Sequence, residues 1–409
     1  MTSILEYQRY KERFQKELFR RIGYTNTLYQ IFRFGDIVKE THYLFPVSQT
    51  VVVRRIQELH PELRTHDYAT GIVDVLGALN ITKRVGPRVV LTHRGRALAA
   101  VTQQPWYENV RSHFFLKSVL EADGDYILNL LSLIPGTQGD SESVKKLGVT
   151  FFGRLLDLLD RRREEVSRTI PTKLVREVAI KQIGAFSDSI RYDILNESRP
   201  SKTLSLEERL RRLRAAKSQK KQRREDEPTE TLRHTLDPRR GWLADLGLVT
   251  RGEDKNYQLT AAGTSLLKQV RADGFELDGL LRVPFSSPLA QALDIKDVVS
   301  IPNDYFHQVV AYVYSGAPPH EYSGAIEDFL KDLRFFFELT RLKRFNQAEI
   351  PAIYECIVLK AANEGQLLSE EKFQELLNDV LATYADQVYR VTGRHGQEGY
   401  LSFRRQGYE

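Results

Sequence analysis

The chain has 409 residues, 41% of them hydrophobic and 28% charged, a composition that suits two to four globular cores. A single cysteine excludes an intrachain disulfide and a cysteine-based zinc site, and no apolar run approaches the eighteen or so residues of a membrane span. The formal charge of +6 is concentrated: residues 201–224 hold ten Lys or Arg against two Glu, which leaves the rest of the chain at −2 and points to contact with a polyanion.

Residues 1–26 read as an amphipathic helix, with Tyr7, Tyr10, Phe14, Leu18 and Ile22 at three- and four-residue spacing and Gly23 as a stop. The segment is charged and lacks the apolar core of a signal peptide, so a reducing cytoplasm is the expected setting. Residues 27–104 form a first domain. A helix over 27–45 ends at Pro46, Ser48 is placed to cap a helix through Leu59, and Pro61 breaks it. Thr65 or Asp67 starts a third helix to about Leu79, Gly86 and Pro87 turn a hairpin, and a helix over 92–102 closes the domain.

Residues 105–200 read as a helical middle domain. Phe151, Phe152, Leu155, Leu158 and Leu159 mark one helix, Pro171 starts another, and Pro135, Gly136, Gly139 and Asp140 mark a loop. Residues 201–281 comprise the basic segment and a second hairpin-bearing domain, whose helix is interrupted near Pro238 before Trp242. Pro284, Ser286, Ser287 and Pro288 then open a C-terminal helical domain, residues 282–409. Ile326, Phe329, Leu330, Leu333, Phe336 and Phe337 form a helical stripe with Ser323 as candidate cap. Helices over 347–363 and 369–385 follow, the first holding Cys356 as a buried thiol, and two alternating strands flank Gly393 to Gly399.

Two stretches share an order of residue types. Val73, Leu76, Leu79 and Ile81 lead through a basic loop to Val89, Val90, Leu91, Thr92, Gly95 and Leu98. Leu243, Leu246, Leu248 and Val249 lead through a charged loop to Tyr257, Gln258, Leu259, Thr260, Gly263 and Leu266. In each, a helix precedes two short strands, and Leu-Thr-x-x-Gly starts a closing helix. The Thr is placed to cap that helix, and the Gly to let it approach a neighbour closely. This order resembles the second half of a winged-helix domain. Residues 324–405 resemble such a unit without the signature. The resemblance implies a mainly α fold with short β-hairpin wings, as tandem winged-helix domains joined by helical segments. It also implies double-stranded DNA as partner, with a recognition helix in the major groove and a wing on the backbone.

The candidate DNA contacts are the basic residues this arrangement would expose. In the first unit they are Arg64, His66, Lys83, Arg84, Arg88 and Arg94. The basic segment offers Arg209, Arg211, Arg212, Arg214, Lys217, Lys220, Lys221, Arg223 and Arg224. The second unit adds Arg239, Arg240, Arg251 and Lys255, and the third Arg390, Arg394 and Arg404. The first wing has no acidic residue, whereas the second holds Glu253 and Asp254 and would repel phosphate. Two plainer readings stand beside these: a winged helix as a protein-interaction module, and the basic segment as a solvated linker.

Catalytic motifs are missing from the sequence. It holds no Gly-rich phosphate loop ending in Gly-Lys-Ser/Thr and no Gly-x-Ser-x-Gly elbow, and its nine His form no His-x-His or His-x-x-x-His pair. Glu370-Glu371-Lys372 and Glu253-Asp254-Lys255 have the spacing of a metal-dependent nuclease. However, the first opens a helix, where acidic residues favour the dipole, and the second lies in a wing turn. No catalytic residue, metal or cofactor is expected. The expected function is a non-catalytic, duplex-DNA-binding subunit of a prokaryotic multi-protein system for antiviral or anti-plasmid defence, restriction or DNA maintenance. Its partners would be ATPase, helicase or nuclease subunits, with no membrane involved. The alternatives are an adaptor resembling the winged-helix subunits of chromosome-organising complexes, and a nuclease with a dispersed metal site.

Overall fold

A computed structural model describes residues 30–61, 66–138, 141–169, 228–252, 256–272, 305–316, 318–342, 346–392 and 399–404, with single positions between 173 and 188. The N-terminal helix, the basic segment 201–224 and the 282–304 boundary lie outside the described residues. The fold is mainly helical with small sheets of two or three strands.

The first unit runs α1 (Arg33–Thr41), β1 (Val47–Ser48), α2 (Gln49–Leu59), α3 (His66–Ala78), β2 (Thr82–Val85), β3 (Arg88–Leu91) and α4 (His93–Val101). Its apolar periodicities face one core: Phe34, Ile37 and Val38 from α1, Val52, Val53 and Ile56 from α2, and Ile72, Val73, Val75 and Leu76 from α3. The hairpin gains a third strand that the sequence pattern does not announce. Val47 pairs with Val89 and Ser48 with Arg88, giving the order β1-β3-β2. Ser48 stands at the N-cap of α2, but its hydroxyl makes no cap bond.

A long helix follows, α5 (Tyr107–Leu133), non-helical at Asp123 (φ −147°, ψ 22°), and then α6 (Ser141–Thr169). Beyond the basic segment come α7 (Pro228–Asp245), β4 (Val249–Arg251), β5 (Tyr257–Leu259) and α8 (Ala261–Ala272). The expected boundary between 105–200 and 201–281 is crossed by backbone hydrogen bonds. Gly136 N–H donates to the Tyr257 carbonyl (2.9 Å), Tyr257 N–H to the Thr137 carbonyl (3.1 Å), and Gln138 bridges Asn256 antiparallel. The α5–α6 loop therefore occupies, on the β4–β5 hairpin, the place that β1 takes on β2–β3. The second unit thus spans both expected domains: the end of α5, residues 136–138, α6, α7, β4, β5 and α8.

The C-terminal part runs α9 (Tyr305–Ser315), β6 (His320–Glu321), α10 (Ile326–Thr340), β7 (Ala348–Glu349), α11 (Ile350–Asn363), β8 (Gln366–Leu367), α12 (Glu370–Thr383), β9 (Val388–Thr392) and β10 (Gly399–Phe403). Its sheet order is β7-β10-β9, with Glu349 opposite Tyr400 and Ala348 opposite Leu401. The first and C-terminal units thus share one progression: helix, short strand running into a helix, helix, hairpin, with the short strand on the hairpin's second strand; in the second unit a single bridge at Gln138 stands in that strand's place. Here the N-cap of α10 is Ala325 rather than the expected Ser323, while Ser369 caps α12 by accepting from Lys372 N–H.

One continuous buried core joins the units. Phe34 meets Trp242 edge to face, and Asp245 accepts from Ile31 N–H at 2.8 Å. Arg96 of α4 pairs with Glu349 of β7, and the Cys356 thiol contacts the Ala97 carbonyl at 3.8 Å. Burial raises that thiol's pKa well above its ordinary value, as suits an inert structural cysteine.

Candidate nucleic-acid interface

The first hairpin is positioned by the Leu-Thr-x-x-Gly sequence, whose two copies make the same bonds. The Thr92 hydroxyl oxygen accepts from Gly95 N–H (3.1 Å), and its O–H is directed at the Asn80 carbonyl (2.5 Å). Thr260 does likewise with Gly263 N–H (3.1 Å) and the Gly247 carbonyl (2.5 Å). Asn80 and Gly247 both sit in the left-handed region, at φ 57° and 67°, where the chain turns from helix into strand. The closing helix then lies close against that strand. A Cβ on Gly95 would be 2.0 Å from the Ile81 carbonyl oxygen, and one on Gly263 would be 2.1 Å from that of Leu248.

This anchorage leaves Lys83, Arg84 and Arg88 exposed on β2 and β3, either side of the Gly86 turn (φ 59°). Arg84 donates to Asp74 of α3 at 2.9 Å, with both side chains about 60% exposed (59% and 60%). Sequence reasoning missed Asp74, which faces the wing across ten residues of chain. The described side chains of the helix beside the wing are poor in base-reading groups. From Thr70 onward its solvent-facing positions are Thr70, Gly71, Asp74, Gly77 and Ala78, with no Arg, Lys, Asn or Gln.

Three expected contacts are corrected by burial. Arg94 is 5% exposed and bonds Glu121 at 2.5 Å, with Glu355 at 3.7 Å. Burial works against its charge, but Glu121 and Glu355 outweigh it and raise the pKa. Arg239 is fully buried. It forks onto Asp123 at 2.5 and 3.0 Å and lies over the Tyr126 ring, so it fastens α7 to the bend of α5. Arg240 is largely enclosed by Asp237 (3.1 Å) and the Tyr257 hydroxyl and ring. None of the three can offer a free guanidinium to a phosphate.

Arg251, Arg390 and Arg404 are exposed, Arg390 bonding Gln374 and Arg404 lying near the Tyr389 ring. Arg64, Lys255, Arg394 and the nine basic-segment candidates from Arg209 to Arg224 lie outside the described residues, as does the side chain of His66 on α3. In the C-terminal unit the helix matching α3 is α12. Its exposed Glu371, Glu375 and Asp379 recur every fourth residue and form an acidic stripe.

A buried ionic cluster lies where α4, α5, α9 and α11 meet. Lys117 Nζ contacts Glu355 Oε1 (2.7 Å) and His307 Nε2 (2.6 Å), beside the Arg94–Glu121 pair. Burial opposes the Glu355 charge, but Lys117, Arg94 and His307 hold its carboxyl well below the usual range. Burial, then the Lys117 charge, lowers the His307 pKa to about 3, and burial lowers that of His113 to about 4. The adjoining cavity of about 20 Å³ has the volume for one water, not for a substrate. The cluster joins helices from three parts of the chain, and its residues are positioned to hold them together.

Among the described residues no group of three His, Cys, Asp or Glu could hold a metal ion, and no helix is long and apolar enough to cross a membrane. No protein-family model, curated protein or solved structure matches the chain.

Proposed function

We propose that this chain is a non-catalytic subunit that binds duplex DNA through the wing of the first of three winged-helix units. The observation that carries the reading is the exposed trio Lys83, Arg84 and Arg88 on a hairpin anchored beside α3. Cationic side chains on such a rib meet phosphates, while α3 from Thr70 onward exposes small residues and one carboxylate. The wing's contact is therefore with the backbone and indifferent to sequence. The basic segment, by its composition, adds affinity of the same kind. The system served is one of multi-protein defence, restriction or DNA maintenance, with ATPase, helicase or nuclease partners supplying the chemistry.

The acidic stripe of α12 favours a second role for the C-terminal unit, as an adaptor surface for a protein partner. Like charge would repel phosphate there. The two readings separate in one titration. Lys83→Glu/Arg84→Glu/Arg88→Glu should weaken binding of a duplex of unrelated sequence and flatten the log K against log salt slope by about 2, because Asp74 already answers one of the three cations. If the parent chain has no duplex affinity at low salt, or the triple variant binds as the parent does, the wing is not a DNA contact and the adaptor reading stands alone.

A further inference from the structure

The wing's charge is partly answered before any DNA arrives. Asp74 sits on the exposed side of α3 with its carboxylate 2.9 Å from the Arg84 guanidinium. Both side chains are more than half exposed, so the pair forms in high dielectric and can exchange partners readily. Every other charged side chain on β2 and β3 is basic, and Asp74 is the one charged residue that α3 exposes from Thr70 onward. A phosphate approaching Arg84 meets a carboxylate already on that guanidinium and a negative charge beside the seat it would take.

We propose that Asp74 is an affinity-limiting residue: an internal rival of phosphate that holds Arg84 and keeps the wing's grip on DNA weak and reversible. The inference rests on the duplex-DNA reading above. A carboxylate within several ångströms of a bound phosphate, in water-like dielectric, costs about a threefold to tenfold loss of affinity. Asp74 also neutralises one of the three wing cations, so one fewer phosphate counterion is released on binding.

The test is a two-by-two comparison of the full chain with Asp74→Asn, Arg84→Ala and both together, titrated with a duplex of unrelated sequence across a salt series. Asparagine is close to isosteric and the site is exposed, so folding is preserved, and a thermal melt checks it. Asp74→Asn should bind about three to ten times more tightly than the parent at low salt and steepen the salt slope by about 0.9. Its gain should shrink when Arg84 is already alanine. If the parent binds DNA and Asp74→Asn binds equally or more weakly, the inference is overturned, and weaker binding would make Asp74 a base contact instead. If the parent shows no duplex affinity, the reading beneath it has failed.

Discussion

Replacing Gly95 by alanine tests the anchorage of the wing directly. The new Cβ would lie 2.0 Å from the Ile81 carbonyl oxygen, 3.1 Å from its carbon and 3.1 Å from Leu91 Cδ2. Side-chain carbons do not approach a carbonyl oxygen closer than about 3 Å, so α4 must move off β2 by roughly 1 Å, with backbone on both sides of the contact. Overpacking of this kind costs about 1–3 kcal/mol. The shift also strains the Thr92 cap, worth about 1 kcal/mol. The expected loss is therefore about 2–4 kcal/mol, a large share of a typical domain's 5–15 kcal/mol. Urea unfolding followed by circular dichroism reads it as a lower midpoint at constant slope. Gly153→Ala in α6 is the control. A Cβ there meets nothing within 4 Å, so better helix propensity should stabilise by up to about 1 kcal/mol. Equal stability of Gly95→Ala and the parent would refute the close seating of α4 that both Leu-Thr-x-x-Gly copies share.

Two further outcomes follow from the buried charges. Arg239→Met removes the ionic partner of fully buried Asp123 and should cost about 3–5 kcal/mol in unfolding free energy, while Arg239→Met/Asp123→Leu should recover much of it; additive losses would argue against the pair. Stability should also fall with acid. His113 and His307 stay neutral when folded, with pKa values near 4 and 3, whereas the unfolded chain takes those protons near pH 6.5. The unfolded state binds more protons below pH 6.5, so stability drops from there toward pH 4, and His113 alone accounts for about 3 kcal/mol once that fall is complete. Glu355 adds stability that is present above its unfolded value and lost as pH falls toward its depressed folded value. A urea midpoint unchanged between pH 7 and 4.5 would contradict the burial of these groups.

What the sequence made legible was whatever local chemistry required. Thr92 and Thr260 each serve as cap and strand tie, and Gly95 and Gly263 each fit under a carbonyl, so the residue types recur at fixed spacing. The short edge strands had no such signature. Val47–Ser48, the bridge at Gln138 and Ala348–Glu349 are too brief to alternate, and their pairing partners lie tens to over a hundred residues away. Residues 170–227 separate α6 from α7 along the chain, so no local pattern joins those two helices. Arg94, Arg239 and Arg240 were misread for a related reason. Asp123 lies 116 positions from Arg239 and Glu121 27 from Arg94, so neither arginine carries a local mark of its partner; Arg240 has Asp237 three residues away, but its enclosure by Tyr257 is not local.

The recurrence of one progression, in full in the first and C-terminal units and with a single bridge for its short strand in the second, separates what the fold decides from what it leaves open. Backbone order fixes where a hairpin and its neighbouring helix sit, because the short strand must complete the sheet and the third helix must close the core. The charge on those exposed positions is not constrained by packing. The first unit places Lys83, Arg84 and Arg88 there and the third shows Glu371, Glu375 and Asp379, whereas in the second unit Arg239 is buried to hold α7 to α5 and Arg240 is enclosed between α7 and β5. A phosphate backbone and an acidic stripe are both polyanions, so on the proposed reading the first and third units favour opposite partners. Their α4 and β7–α11 faces are joined through Arg96–Glu349 and the buried Arg94–Glu355 contact, which sets one partner surface in a fixed relation to the other. On the proposed reading, a chain built this way holds DNA on one side and a protein on the other.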